Sequence, residues 1–391
     1  MSEKNVFSGT LSRRKLLKAG AVGACSLFFA GITGCRPEQQ VVQETPQLVA
    51  QKGFINPVRA LWFSELDNAR VRCELCPKLC VLAENERALC RVRENKNGVG
   101  YTLAYGNPAL VQEDPIERKP FFHVMPGSRV MSISTAGCNL ACKFCEVWDM
   151  ALVAPEEVHA FDMQPEKVIG LALAANVRAI SYAIGEPVAF YEYMAAMAAL
   201  AKEAGLLNLV HTAGYIQPEP LNELSNMLDA ANVDLKSFEP AFYRDVVGGE
   251  LEPVLKTLQS LREAGIHIEI TNTVIPTLND NMGVINEMCK WIINELGPDV
   301  PVHFARFYPL YKLSALPRTP VSTLVQARET AFDAGLKFAY IAKVIGHEGE
   351  NTFCPTCGKM LIKRVGFVIA EQHLENGTCN QCGTLIPGMW N

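Results

Sequence analysis

Beyond its first 20 residues this 391-residue sequence has no basic tract, and its formal net charge is −5. Phosphate binding rests on clustered Lys and Arg, so nucleic acid is set aside as a partner. The sequence also lacks a hydrophobic run of membrane-spanning length near its start. The uncharged, Gly- and Ala-rich stretch Ala19–Gly34 has 16 residues, against about 20 for a bilayer span. Histidine is scarce, and His123, His159, His267, His347 and His373 form no metal-ligand spacing.

Cysteine is abundant instead, with 14 in the chain. Most stand in metal-knuckle spacings, which favours thiolate–metal bonding over disulfides. With 49% hydrophobic residues, there is ample chain for one large core with small appendages.

The first 35 residues read as a signal rather than as fold. Ser12-Arg-Arg-Lys-Leu-Leu-Lys is a twin-arginine pattern, Ala19–Gly34 suits a signal core, and Ile32-Thr-Gly-Cys35 resembles a bacterial lipobox with Cys35 as the acylated residue. This implies a membrane-associated protein exported by the twin-arginine route to the periplasmic face, lipid-anchored through Cys35. The alternative is a cytoplasmic protein with an uncleaved N-terminal anchor. Export of a folded, metal-loaded chain would keep its thiols from forming wrong disulfides. Residues 36–56, with five Gln and two Pro, read as a flexible tether.

The chain beyond divides into a Cys-rich module at 57–125, a core at 126–347 and a second Cys-rich module at 348–391. In the core, β-rich runs alternate with helical patterns. Strands are expected at 129–135, 178–183, 206–212, 233–236, 266–275, 300–307 and 338–342. Helices are expected at 164–176, 189–204, 220–230, 252–264, 279–296 and 321–334. Repeated β-then-α units imply an α/β fold with a parallel sheet and right-handed crossovers. About six units suggest an open or partial barrel with its active site at the C-terminal edge of the strands.

The chemistry-bearing motifs recur at that edge. Cys138-x-x-x-Cys142-x-x-Cys145 follows the first strand, Gly185-Glu186-Pro187 the second, His211-Thr212-Ala213-Gly214 the third and Asp234-Leu235-Lys236 the fourth. Three thiols on one loop can hold three irons of a four-iron cluster and leave the fourth open. A lone Gly-Glu-Pro is an ordinary turn and a lone Asp-x-Lys an ordinary exposed pair. Their order along one sheet edge is what carries information.

Together these motifs resemble the radical S-adenosylmethionine (SAM) superfamily, whose cysteine signature has an aromatic residue before the last Cys, here Phe144. The resemblance implies a partial (β/α)6 barrel and a [4Fe–4S] cluster on Cys138, Cys142 and Cys145, with SAM chelating the open iron. It places the backbone of the Gly185-Glu186-Pro187 stretch against the methionyl amine, although Ile184 stands where the family has a further Gly. Reductive cleavage of SAM would yield a 5′-deoxyadenosyl radical that abstracts hydrogen from an unknown substrate, with electrons from a low-potential donor.

Residues about 70–390 look like one subfamily, the radical SAM member of the AmmeMemoRadiSam system, related to pyruvate formate-lyase-activating enzymes. The residues that carry this include Cys73-Glu-Leu-Cys-Pro, Asp114-Pro-Ile-Glu-Arg-Lys-Pro, Ile275-Pro-Thr-Leu-Asn-Asp, Phe304-Ala-Arg-Phe-Tyr-Pro and Ile386-Pro-Gly-Met-Trp. By position, Thr212, Asp234 and Lys236 inherit contacts to the methionyl carboxylate and a nearby cation. Tyr311 stands where the activating enzymes have a His. Two alternatives stand beside this reading: within enzymes, an activator of a glycyl-radical protein, so that the substrate is itself a protein; from another class, an exported iron–sulfur electron carrier that has lost SAM chemistry.

The flanking cysteines read separately. Cys354, Cys357, Cys379 and Cys382 resemble a zinc-ribbon or rubredoxin-like site for zinc or iron, and four thiolates close the shell. Cys73, Cys76, Cys80 and Cys90 are less regular and suit either zinc or an auxiliary iron–sulfur cluster. Cys289, beside Met288 and Trp291, reads as a core thiol. His211 and His303 read as satisfied structural histidines at strand ends, with proton handling as the alternative.

Overall fold

Seven of the β-rich runs pair side by side and in parallel, in sequence order. The structure, a computed structural model, describes residues 49–390. The twin-arginine segment, Cys35 and residues 36–48 of the tether lie outside them. The main sheet has eight strands: β1 (Leu110–Pro115), β2 (Arg129–Ser134), β3 (Ala179–Tyr182), β4 (Leu207–Thr212), β5 (Ala230–Asp234), β6 (His267–Val274), β7 (Val302–Arg306) and β8 (Ala339–Ala342). β2 to β8 run parallel, and β1 adds to the open edge antiparallel to β2.

Six crossover helices cover the sheet: α1 (Pro165–Ala174), α2 (Tyr191–Glu203), α3 (Pro218–Ser225), α4 (Glu252–Glu263), α5 (Met282–Glu295) and α6 (Val321–Ala334). The expected α/β fold with six βα units, closed by one further parallel strand, is therefore present. Sequence signals account for the helix starts. α1 and α3 begin on a proline, where the missing N–H costs no hydrogen bond. At α5 the Asn281 side chain caps Gly283 N at 2.8 Å. α4 buries Val254, Leu258 and Leu261 on one stripe, the spacing of an amphipathic helix.

Several boundaries differ from the sequence expectation, most clearly around β5. β5 begins at Ala230, three residues earlier than expected, and ends at Asp234, two earlier, and the helix expected over 220–230 stops at Ser225. Ala230-Ala-Asn has little intrinsic strand preference, but it is fully buried and paired on both sides. Tertiary context wins there. β1, which falls within the 57–125 block, is hydrogen-bonded into the main sheet.

The rest of the N-terminal block forms two three-stranded antiparallel sheets, 63–66/70–73/81–82 and 58–59/93–96/99–102. At the C-terminus, strands Met360–Val365 and Val368–Gln372 make a hairpin joined by Gly366–Phe367. The last residues return under the sheet, where Met125 N donates to Met389 O at 2.6 Å and Met389 N to His123 O at 2.7 Å.

That lower end is closed by a buried polar cluster around Glu269. Its carboxylate accepts from Phe122 N at 3.0 Å, His123 N at 2.8 Å and His303 Nε2 at 2.6 Å. Burial alone would raise the Glu269 carboxyl, but His267 and His303 outweigh it and hold it well below its ordinary range. His303 is thus a structural residue at the start of β7, away from the C-terminal strand edge where the sequence placed it.

Candidate active site

The cysteine loop is fixed at both ends by backbone. β2 ends at Ser134 and the chain turns at Gly137, with φ +97°. A side chain there would meet Val92 Cγ1 at 2.5 Å and the Cys90 carbonyl at 2.9 Å, so only glycine fits this turn. Ala141 N and Lys143 N donate to Val247 O and Val246 O, each at 2.9 Å. The Asn139 side chain reaches Tyr215 O at 2.7 Å. The loop therefore holds its three thiols on a rigid frame.

Those thiols line a cavity of about 380 Å³ at the C-terminal edge of the strands. Also facing it are Gly185 and Glu186 after β3, His211 and Thr212 at the end of β4, and Asp234 and Lys236 at and beyond the end of β5. The structure thus gathers the motif residues of four successive strands around one space. Pro187 is buried behind it, at the start of a 3-10 turn. Tyr311 does not line the cavity; it stacks on Trp148 with ring centroids 5.3 Å apart.

Burial raises all three thiols, Cys138 well above its ordinary range and Cys142 to about 11. Their ionised forms need the positive charge of bound metal. Across the cavity, the Lys236 ammonium sits 2.8 Å from Asp234 and 5.7 Å from the centre of the Phe144 ring. His211 Nε2 lies 2.9 Å from the other Asp234 oxygen. Burial would raise the Asp234 carboxyl, yet Lys236 and then His211 hold it below the usual range. Burial would likewise lower Lys236, and Asp234 more than offsets it. Asp234 and Lys236 are therefore a charged pair.

Glu186 has a different job. Its carboxylate accepts from Thr212 Oγ1 at 2.6 Å, Ala213 N at 2.9 Å and Val188 N at 3.1 Å. Its acceptor capacity is spent on tying the end of β3 to the end of β4. What β3 offers a ligand is backbone. Gly185 N donates to Ser134 Oγ at 2.9 Å, and a Cβ at Gly185 would lie 2.5 Å from that oxygen. Just before it, Ile184 has φ +76°, a left-handed conformation that is strained for a β-branched residue.

The radical SAM superfamily model matches residues 132–289, which span the cysteine loop, Gly185–Glu186, Thr212 and Asp234–Lys236. An uncharacterized protein of Methanocaldococcus jannaschii, MJ0808, is 41% identical over 329 residues, covering 84% of this chain and 98% of its own length. The chain belongs to the radical SAM superfamily. A pyruvate formate-lyase-activating enzyme of Clostridium pasteurianum is 24% identical over 174 residues, 43% of this chain and 71% of its own. Among solved structures, a radical SAM methyltransferase from Sphaerobacter thermophilus has a TM-score of 0.45 at 14% identity, over 76% of this chain and 80% of that one.

This radical SAM enzyme has cavity walls that its sequence did not disclose. Asp114, from the Asp114–Pro120 motif, holds Lys119 at 2.5 Å and Arg118 at 2.7 Å. That fixes Glu117, Arg118 and Lys119 as one wall of the cavity. Glu350, Gly366 and Phe367 of the C-terminal module form another. The motif was visible in the sequence, but its place in the wall depends on long-range packing.

The C-terminal cysteines are placed so that they could hold one metal ion. The Cys354–Cys382 and Cys357–Cys379 sulfur distances are 3.6 and 3.8 Å, and all four sulfurs lie within 4.8 Å of one another. A single tetrahedral ion at about 2.3 Å from each sulfur spaces them by about 3.8 Å. Cys73, Cys76, Cys80 and Cys90 gather separately around a small void behind the cysteine loop. Cys289 is a fully buried core thiol.

Proposed function

We propose that Cys138, Cys142 and Cys145 hold a [4Fe–4S] cluster and that the cavity beside them takes SAM and the substrate whose C–H bond is attacked. The observation that carries this is convergence: three thiols, a side-chain-free backbone edge at Gly185 and the Asp234–Lys236 pair face one cavity. Its volume of about 380 Å³ suits a small molecule. Once bound, cluster and SAM supply one-electron cleavage of the sulfonium and a 5′-deoxyadenosyl radical for hydrogen abstraction.

The protein's own residues supply position and exclusion. Gly185 leaves its backbone approachable for the methionyl amine. Lys236, with one side of its ammonium on Asp234, keeps its remaining N–H groups for a carboxylate. Thr212 is locked by Glu186, so its place at the cavity wall does not drift. Phe144, Ala305 and Phe367 give the cavity apolar walls that limit water. An electron carrier needs no such chamber.

Within the superfamily, the motifs at 73–77, 114–120 and 386–390 support the AmmeMemoRadiSam subfamily. The Clostridium relative is named for activating pyruvate formate-lyase, which supports a protein substrate and a low-potential electron donor here as well. Zinc is the preferred metal for the C-terminal site because four thiolates close its shell. Ser12–Lys18 and Ile32–Cys35 support export by the twin-arginine route with a lipid anchor on Cys35, and fractionation with a mapped N-terminus tests that address.

The reaction itself is tested by reducing the anaerobically reconstituted protein in the presence of SAM. Methionine and 5′-deoxyadenosine are the expected products. No product from a fully loaded, reducible cluster would overturn the reading. A protein-borne radical signal on incubation with a glycyl-radical partner would place the enzyme among the activators.

A further inference from the structure

We infer that Cys73, Cys76, Cys80 and Cys90 bind a second four-iron cluster, rather than zinc, directly behind the cysteine loop of the active site. Cys73 ends the strand Arg70–Cys73, Cys76 and Cys80 follow in the next turn, and Cys90 precedes the strand Arg93–Lys96. Cys73 N donates to Cys80 O at 2.9 Å, which folds this segment back on itself. All four cysteines line one void of about 10 Å³, with Leu75, Ala88 and Val188 among its apolar walls.

Sulfur spacing separates the two kinds of metal. One zinc ion draws its thiolates to about 3.8 Å from one another, and the C-terminal set has that spacing. Among the described residues, the C-terminal four are the only His, Cys, Asp or Glu group whose ligand atoms all lie within 4.8 Å. The N-terminal four converge on a common void but stand farther apart. In a four-iron cluster each thiolate has its own iron, so the sulfurs are spread more widely than around one ion. Cys138, Cys142 and Cys145 likewise fall outside the 4.8 Å limit.

Arg93 supplies the second observation. It is 1% exposed and lines the same void. Its Nη1 donates to Glu192 at 2.9 Å and its Nη2 to the Leu61 carbonyl, while its Nε has no hydrogen-bond partner. A buried N–H without an acceptor is unfavourable. A metal-bound thiolate such as Cys73, or a cluster sulfide, can supply that acceptor, and such hydrogen bonds tune clusters.

The two metal sites are close neighbours. Asn139, next in the chain to Cys138, lines the void with the N-terminal cysteines. Gly137 packs against the Cys90 carbonyl, where even a methyl group would not fit.

The test is a metal and sulfide count on the full chain after anaerobic reconstitution, which does not depend on SAM cleavage. Two four-iron clusters give about eight acid-labile sulfides per chain. About four sulfides accompanied by two zinc ions would overturn the inference. Assignment follows from variants: Cys138→Ala/Cys142→Ala/Cys145→Ala should keep about half the sulfide and a paramagnetic signal on reduction, and Cys76→Ala/Cys90→Ala should lose that half. If the first variant keeps its circular dichroism but binds no sulfide, the inference fails. The count on the unmodified chain decides the matter even if a variant does not fold.

Discussion

Replacing Glu186 by Gln probes how the cofactor pocket is held together. Three donors converge on this buried carboxylate: the Thr212 hydroxyl, Ala213 N–H and Val188 N–H. Glutamine keeps the shape but offers one carbonyl oxygen, and its amide N–H₂ must face another donor. One or two buried donors are left unpaired, at about 1–3 kcal/mol each, so a loss of about 3 kcal/mol is expected. Unfolding entropy of about 2.1 cal/mol/K per residue implies a fall in thermal midpoint of about 4 °C for a chain of this size. Because the same carboxylate ties the end of β3 to the end of β4, SAM affinity should also fall, by about tenfold or 1.4 kcal/mol. The assays are thermal unfolding and equilibrium SAM binding, both on the anaerobic, iron-loaded protein. Wild-type values in both would refute the anchoring role. A lowered midpoint with unchanged affinity would confine Glu186 to stability.

Other predictions follow from individual contacts. Gly185→Ala forces a methyl to 2.5 Å from Ser134 Oγ; it should cost about 1–3 kcal/mol and weaken SAM binding, and adding Ser134→Ala should recover part of both in a double-mutant cycle. His123 is buried, which pushes its pKa down from 6.5 to about 3. The unfolded chain therefore binds a proton that the native state refuses, and stability should fall as pH drops below about 6.5, by at most about 1.4 kcal/mol per unit; denaturant unfolding of His123→Gln should show a flatter acid limb. Cys379→Ala should release one metal ion per chain, counted by elemental analysis, and lower the thermal midpoint without changing sulfide content, since Cys354 and Cys379 pack into the C-terminal core.

The cysteine loop, Gly185–Glu186 and Thr212 are legible in the sequence because each follows a strongly patterned strand; Asp234–Lys236 is legible only from its place in their order. The six helices were legible from their apolar stripes and start signals. β5 was misplaced because Ala230-Ala-Asn is a strand by burial and pairing rather than by preference. The place of β1 in the main sheet is not legible in the sequence, since antiparallel pairing with β2 leaves no local trace. The role of Glu186 was hidden for a similar reason: its partners Thr212 and Ala213 lie 26 and 27 residues away. Phe367 at the cavity was invisible because a hairpin tip has no signal for what it touches. Ile184 is the reverse case, a departure noticed in the sequence that the backbone confirms, at φ +76°.

The central claim is that the Cys138–Cys145 loop leaves one iron open and that SAM takes it. The most direct measurement is electron–nuclear double resonance on the reduced cluster of a Cys76→Ala/Cys90→Ala protein with SAM carrying ¹⁵N in its methionyl amine. A resolved nitrogen coupling should appear with labelled SAM and be lost in Cys142→Ala. A fully formed cluster whose signal is unchanged by SAM, with no nitrogen coupling, would contradict it.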